Sequence, residues 1–144
     1  MTHYRSRILL VLFAFLLAGV RLAAAEEFTP AEVGAMRKTI EGQLDAFRRD
    51  DGVKAFSYAS PSIQERFGTP QQFLQMVRQQ YSAVYRPAAI AFLKPRSDGG
   101  IVVYPVQLTD QEGRVWMALY AMQLHGKVWK ISGCQVVLGA ALST

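Results

Sequence analysis

YASPSIQERFGTPQQFLQMVRQQYSAVYRP, residues 58–87, divides the chain into a helical half before and within it and a strand-rich half after it. Pro61 pushes Ser60 out of the helical region, so a helix arriving from the N-terminal side must stop there. Residues 62–67 then have room for one further turn, closed by Gly68. Thr69-Pro70-Gln71-Gln72 opens a longer helix: Thr69 can cap, Pro70 suits the first helical position, and Gln72 stands where a capping box needs it. At 100° per residue Phe73, Met76, Val77, Tyr81 and Val84 share one face of a helix over 69–84. Gln80 falls in the middle of that apolar face. Burying its amide unpaired would cost roughly 1–3 kcal/mol, so it is expected to meet a polar partner or anchor a ligand. Pro87 ends the helical half.

Working outward toward the N-terminus, Thr29-Pro30-Ala31-Glu32 repeats the opening device. Val33, Met36, Ile40, Leu44 and Phe47 follow as one stripe at spacings of three and four. Arg48-Arg49 suit the negative end of that helix, and Asp50-Asp51-Gly52 stops it, with Gly52 expected in a left-handed conformation. Residues 53–59 predict a short second helix. Toward the C-terminus the period changes to that of strands: 88–93, then the turn cluster PRSDGG, then 101–109, 115–122 and 128–138. Pro105 restricts its position to an edge or a bulge. Residues 110–113 read as a hairpin loop and His125-Gly126-Lys127 as a tight turn. Helices followed by strands on short loops predict an α+β domain, with the helices packed on a curved four-stranded antiparallel sheet.

The first 25 residues read as a leader. Arg5 and Arg7 precede an uncharged apolar run over 8–20, and Ala23-Ala24-Ala25 precedes Glu26. This is the layout of a secretory signal peptide cut between Ala25 and Glu26, followed by a single domain over 26–144. The run is shorter than the roughly 20 residues a span needs, so a membrane role enters only through an uncleaved leader. The expected location is periplasmic or secreted. Arg5, Arg7 and Arg21 leave with the leader, so the 16 basic residues fall to 13 against 11 acidic ones, a net charge of +2. That weakens the case for a nucleic-acid partner, and no basic run longer than two survives. Cys134 is the one cysteine, placed in an apolar strand, and is expected to be a buried, unpaired thiol.

A family resemblance is carried by Ala59-Ser60-Pro61, Ile63, Phe67-Gly68-Thr69-Pro70, Phe73, Met76-Val77, Tyr81 and Val84-Tyr85-Arg86-Pro87, joined by Gly113-Arg114, Tyr120, Trp129, Ile131 and Gly133. The chain resembles a bacterial exported family known only as a domain of unknown function, number 4864. The likeness spans nearly all of residues 26–144. It implies a cystatin-like or nuclear-transport-factor-two-like cone and supplies no activity, since that superfamily holds isomerases, dehydratases and plain binding domains.

The residue chemistry favours binding. Asp98, Asp110, Glu112 and His125 all fall in predicted turns, which leaves the expected sheet without a proton-transfer group. Ser60 and Ser62 have no base at a motif-like spacing, and turn and cap roles explain both. No ligand cluster for a metal and no phosphate-binding glycine loop is present in the sequence, so no cofactor is expected. The aromatic residues are richer. Gln80, Tyr81, Tyr85, Arg86, Trp116, Tyr120 and Trp129 are the candidate ligand-binding set, lining an aromatic pocket between helices and sheet with Arg86 at its mouth. The expected function is a non-catalytic exported domain that binds a small apolar or anionic ligand, or a partner. The competing expectation is a small cone-fold enzyme of isomerase or hydrolase type, which would show an acid or histidine in its pocket. Residues 115–122 are apolar on both faces, so a homodimer through the outer sheet face is also expected.

Overall fold

A computed structural model describes residues 28–139; the leader, its Ala25/Glu26 junction and residues 140–144 lie outside the described residues. Helix α1, Pro30–Arg48, starts on the expected capping box: the Glu32 N–H donates to Thr29 Oγ1 at 3.2 Å and the Thr29 N–H to the Glu32 carboxylate at 2.8 Å. It buries Met36, Ile40, Leu44 and Phe47 of the expected stripe, and also Thr39 and Gln43. The helix ends differently from expectation. Asp50, not Gly52, takes the left-handed conformation, with φ 54°. A short acidic side chain tolerates this, and Tyr85 and Arg86 both bond its carboxylate. Gly52 instead opens α2, Gly52–Ser57, where a Cβ would lie 3.2 Å from the Pro70 carbonyl oxygen; its role is close helix packing.

Helix α3, Pro61–Phe67, is capped by the buried Ser60 hydroxyl, which accepts from the Ile63 N–H at 3.4 Å and bonds the Ser62 hydroxyl at 2.9 Å. Gly68 closes it at φ 78°. Helix α4, Pro70–Gln80, begins at Thr69 as expected, but it does not run on to Val84. The backbone breaks at Tyr81, φ −130° and ψ 54°, and α5 covers Ser82–Tyr85. The reason is Gln80. A straight helix would drive its amide into the core between Val77 and Val84. With the break, Val77 and Val84 are both buried and Gln80 is left exposed at the end of α4. It has no buried amide to satisfy, contrary to expectation.

The second half is one antiparallel sheet: β1 Ala89–Phe92, β2 Arg96–Asp98, β3 Ile101–Thr109, β4 Val115–His125 and β5 Val128–Leu138, in the order β1-β3-β4-β5. It has five strands rather than the expected four, because part of PRSDGG pairs with β3 as β2. Both β1 and β2 lie along the same edge of β3, β1 against Val106–Thr109 positions and β2 against Val103, Val102 and Ile101. Pro105 stands where the two meet. Its carbonyl accepts from the Leu93 N–H at 3.1 Å, so its missing donor faces the interruption, the bulge-like position expected of it.

The register puts Tyr104, Val106 and Leu108 of β3, Ala118, Tyr120 and Met122 of β4, and Cys134 and Val136 of β5 on one face. That face and the apolar sides of α1, α4 and α5 form a single core. Val103, Met117, Leu119 and Val137 alternate onto the outer face and stay half-exposed. Between Ala121 and Met122 the register shifts, which leaves Ser132 as an extra residue in β5; its hydroxyl donates to the Ala121 carbonyl at 3.2 Å. The opening stretch docks here. The Ser60 N–H donates to the Ile131 carbonyl at 2.8 Å and the Ile131 N–H to the Tyr58 carbonyl at 3.0 Å, a one-residue parallel bridge that covers the free edge of β5.

Candidate functional site

The bulge and the helix break face one another across a cavity of about 480 Å³. On the sheet side its wall is Tyr120 of β4 and Ile131, Ser132, Gly133 and Cys134 of β5. On the helix side it is Phe47 and Gln43 of α1, Ile63, Arg66 and Phe67 of α3, and Phe73, Met76, Val77, Gln80, Tyr81 and Val84 of α4 and α5. The aromatic part is a cluster around Phe73, whose ring lies 5.8 Å from Phe47, 5.5 Å from Phe56 and 5.7 Å from Phe67. The volume falls within the range of small-molecule sites.

The buried polar groups are few and mostly engaged. Gln43 donates to the Ala55 carbonyl at 3.2 Å. The exception is the Tyr120 hydroxyl. It is buried, it lies beside the Cys134 thiol across the β4–β5 pair, and it has no partner at hydrogen-bond geometry among the described residues. Burial raises its pKa well above the ordinary phenol value. Cys134 is free and half-buried as a residue, and burial pushes its thiol up to about 12. Both stay protonated at neutral pH, so neither supplies a base or a thiolate at the cavity wall. Arg66, on the exposed rim, is the one charged side chain of the lining among the described residues. Among the described residues no Asp, Glu or His lines the cavity.

Of the seven residues expected to bind a ligand, three line this cavity: Tyr120 deep, Tyr81 half-buried at the helix break, and Gln80 exposed at the rim. The other four stand elsewhere. Tyr85 donates to Asp50, and Arg86 donates to the Arg48 carbonyl and, at 3.0 Å, to Asp50; its guanidinium stacks 4.5 Å from the Tyr85 ring. This pins the C-terminal end of α1 to α5, and it lowers the pKa of Asp50, first through Tyr85 and then through the Arg86 charge. Trp116 donates its indole N–H to Asp110 at 2.8 Å. Trp129 packs edge-on against Phe28, and its carbonyl accepts from Thr39 at 3.1 Å. Sequence reasoning missed Arg66, Cys134 and the phenylalanines as lining. Arg66 and Phe67 are legible only as positions in the turn over 62–67, and Phe73 as part of an apolar helix face.

The model of the family described as Domain of unknown function (DUF4864) matches residues 30–143. The chain belongs to this family. No curated protein matches it. The matched span takes in every wall of the cavity, so the site is part of the family domain rather than an appendage to it. Among the described residues no group of three His, Cys, Asp or Glu side chains could hold a metal ion.

Proposed function

We propose that this member of the family is an exported, non-catalytic binding domain that takes a small, mainly apolar molecule into the cavity between α3–α5 and β5. The observation that carries the reading is the cavity itself, about 480 Å³ and walled by the hydrocarbon of Phe47, Phe67, Phe73, Val77 and Val84. The lining also supports binding over acid–base catalysis, since it holds no carboxylate or imidazole and its thiol and phenol stay protonated. Export rests on the composition of residues 1–25. A mass spectrum of the exported protein should begin at Glu26; a membrane-bound species retaining residues 1–25 would contradict the leader reading.

The binding reading is tested with the neutral dye N-phenylnaphthylamine, whose emission rises in apolar sites. Wild type should enhance it saturably, and Met76→Trp, which fills the cavity from a half-buried position, should abolish the enhancement while keeping the native circular dichroism. Equal enhancement by both proteins would overturn the assignment of the cavity. Tyr120→Phe should stabilise the empty protein by about 1 kcal/mol, because it removes an unsatisfied hydroxyl.

A further inference from the structure

We infer that the cavity selects an amphiphile with an anionic head group, a carboxylate on an apolar tail, whose head is held by Arg66. The inference rests on the binding reading above and adds the chemical class of the ligand. The tail follows from the walls: Phe47, Phe67, Phe73, Val77 and Val84 offer only hydrocarbon. The head follows from charge. Of the eight arginines among the described residues, Arg37, Arg48, Arg49, Arg86 and Arg114 are held by carboxylates of their own chain, and Arg66, Arg78 and Arg96 are not; of these three, Arg66 is the one on the cavity. Arg66 has no carboxylate within 4.0 Å among the described residues, although it is the one charged group on the cavity. Its guanidinium sits 5.9 Å from the centre of the Phe67 ring, which itself lines the cavity. That contact sets the planar fork beside the opening, where it can bind a carboxylate through two parallel N–H donors. No acidic side chain on the lining competes for it or repels an anion. Gln80 and Tyr81 stand on the wall formed by the end of α4, with neutral groups able to share the head.

A purely structural role exists for Arg66, because it stands in the last turn of α3, where a cation suits the helix end. The two roles separate by readout: a structural role moves stability, and a ligand role moves the preference between two tails that differ only in charge. The experiment measures binding of decanoate and of decanol to wild type and to Arg66→Gln by isothermal titration at neutral pH, below the concentration at which either self-associates. Wild type should bind decanoate at least about tenfold tighter than decanol, the size expected of a charge-assisted hydrogen bond. In Arg66→Gln the difference should vanish through loss of decanoate affinity alone. Equal affinity of wild type for the two would overturn the anionic head and leave the apolar cavity standing. A preference that survives in Arg66→Gln would overturn the role of Arg66. Binding of neither would overturn both the inference and the reading it rests on.

Discussion

Asp110 shows how a single carboxylate can be buried for structure alone. It is 3% exposed, at the start of the β3–β4 loop, and accepts from the N–H groups of Glu112 and Arg114 at 3.0 and 2.9 Å. The Arg114 guanidinium adds a bond at 2.8 Å and the Trp116 indole another at 2.8 Å. Burial by itself would raise its pKa, but the bonds from Trp116 and Arg114 outweigh that and hold it at about 2. A depressed folded-state pKa means stability that is present above the unfolded value of about 4 and is lost as pH falls through about 2. Asp110→Ala should therefore lower the melting temperature at pH 7 and flatten the acid limb of the stability curve between pH 4 and 2, followed by thermal denaturation across that range. An unchanged acid limb would show that the network is not the source of the pH dependence. The sequence places Asp110 in a turn, where an Asp side chain can take backbone N–H groups two residues on. Its near-complete burial is not legible, because it depends on where the Trp116 ring lands across the hairpin.

At the scale of elements, periodicity read the helices well where it agreed with polarity and failed where the two conflicted. The α1 stripe is buried as expected because no polar residue interrupts it except Thr39 and Gln43, and both find backbone carbonyls. In α4 the apolar positions continue past Gln80, and the chain resolves the conflict with a break rather than with a buried hydrogen bond. That break moves Tyr85 and Arg86 away from the cavity and onto the end of α1. Arg86→Ala should consequently cost about 1 kcal/mol by releasing α1 from α5, a modest figure because the pair is partly exposed. Dye binding should stay at the wild-type level, since Arg86 is not on the lining. A stable variant with lost binding would reverse the assignment. The sheet was legible through its turns, and the extra strand was missed because Arg96–Asp98 is short and polar, held only by its pairing with β3.

For the whole molecule, the α+β class followed from helices preceding strands, but the cavity did not. It exists because two irregularities, the Ser132 bulge and the Tyr81 break, fall opposite one another across the helix–sheet interface. Sequence reasoning saw neither. It reached Tyr120, Tyr81 and Gln80 through aromatic content and pattern, and it expected Trp116 and Trp129 on the same pocket, whereas they stand against Asp110 and Phe28. The cavity leaves the core open between the Phe73 cluster and β5, a gap that a ligand can complete. The most direct test of that claim is a nuclear magnetic resonance titration of the amide-labelled protein with decanol. The account predicts that the shifting amides cluster on residues 131–134, on Tyr120 and on residues 76–84, while those of Val103, Leu119 and Val137 on the outer sheet face hold still. Shifts confined to the outer face, or spread without pattern at saturating decanol, would contradict it.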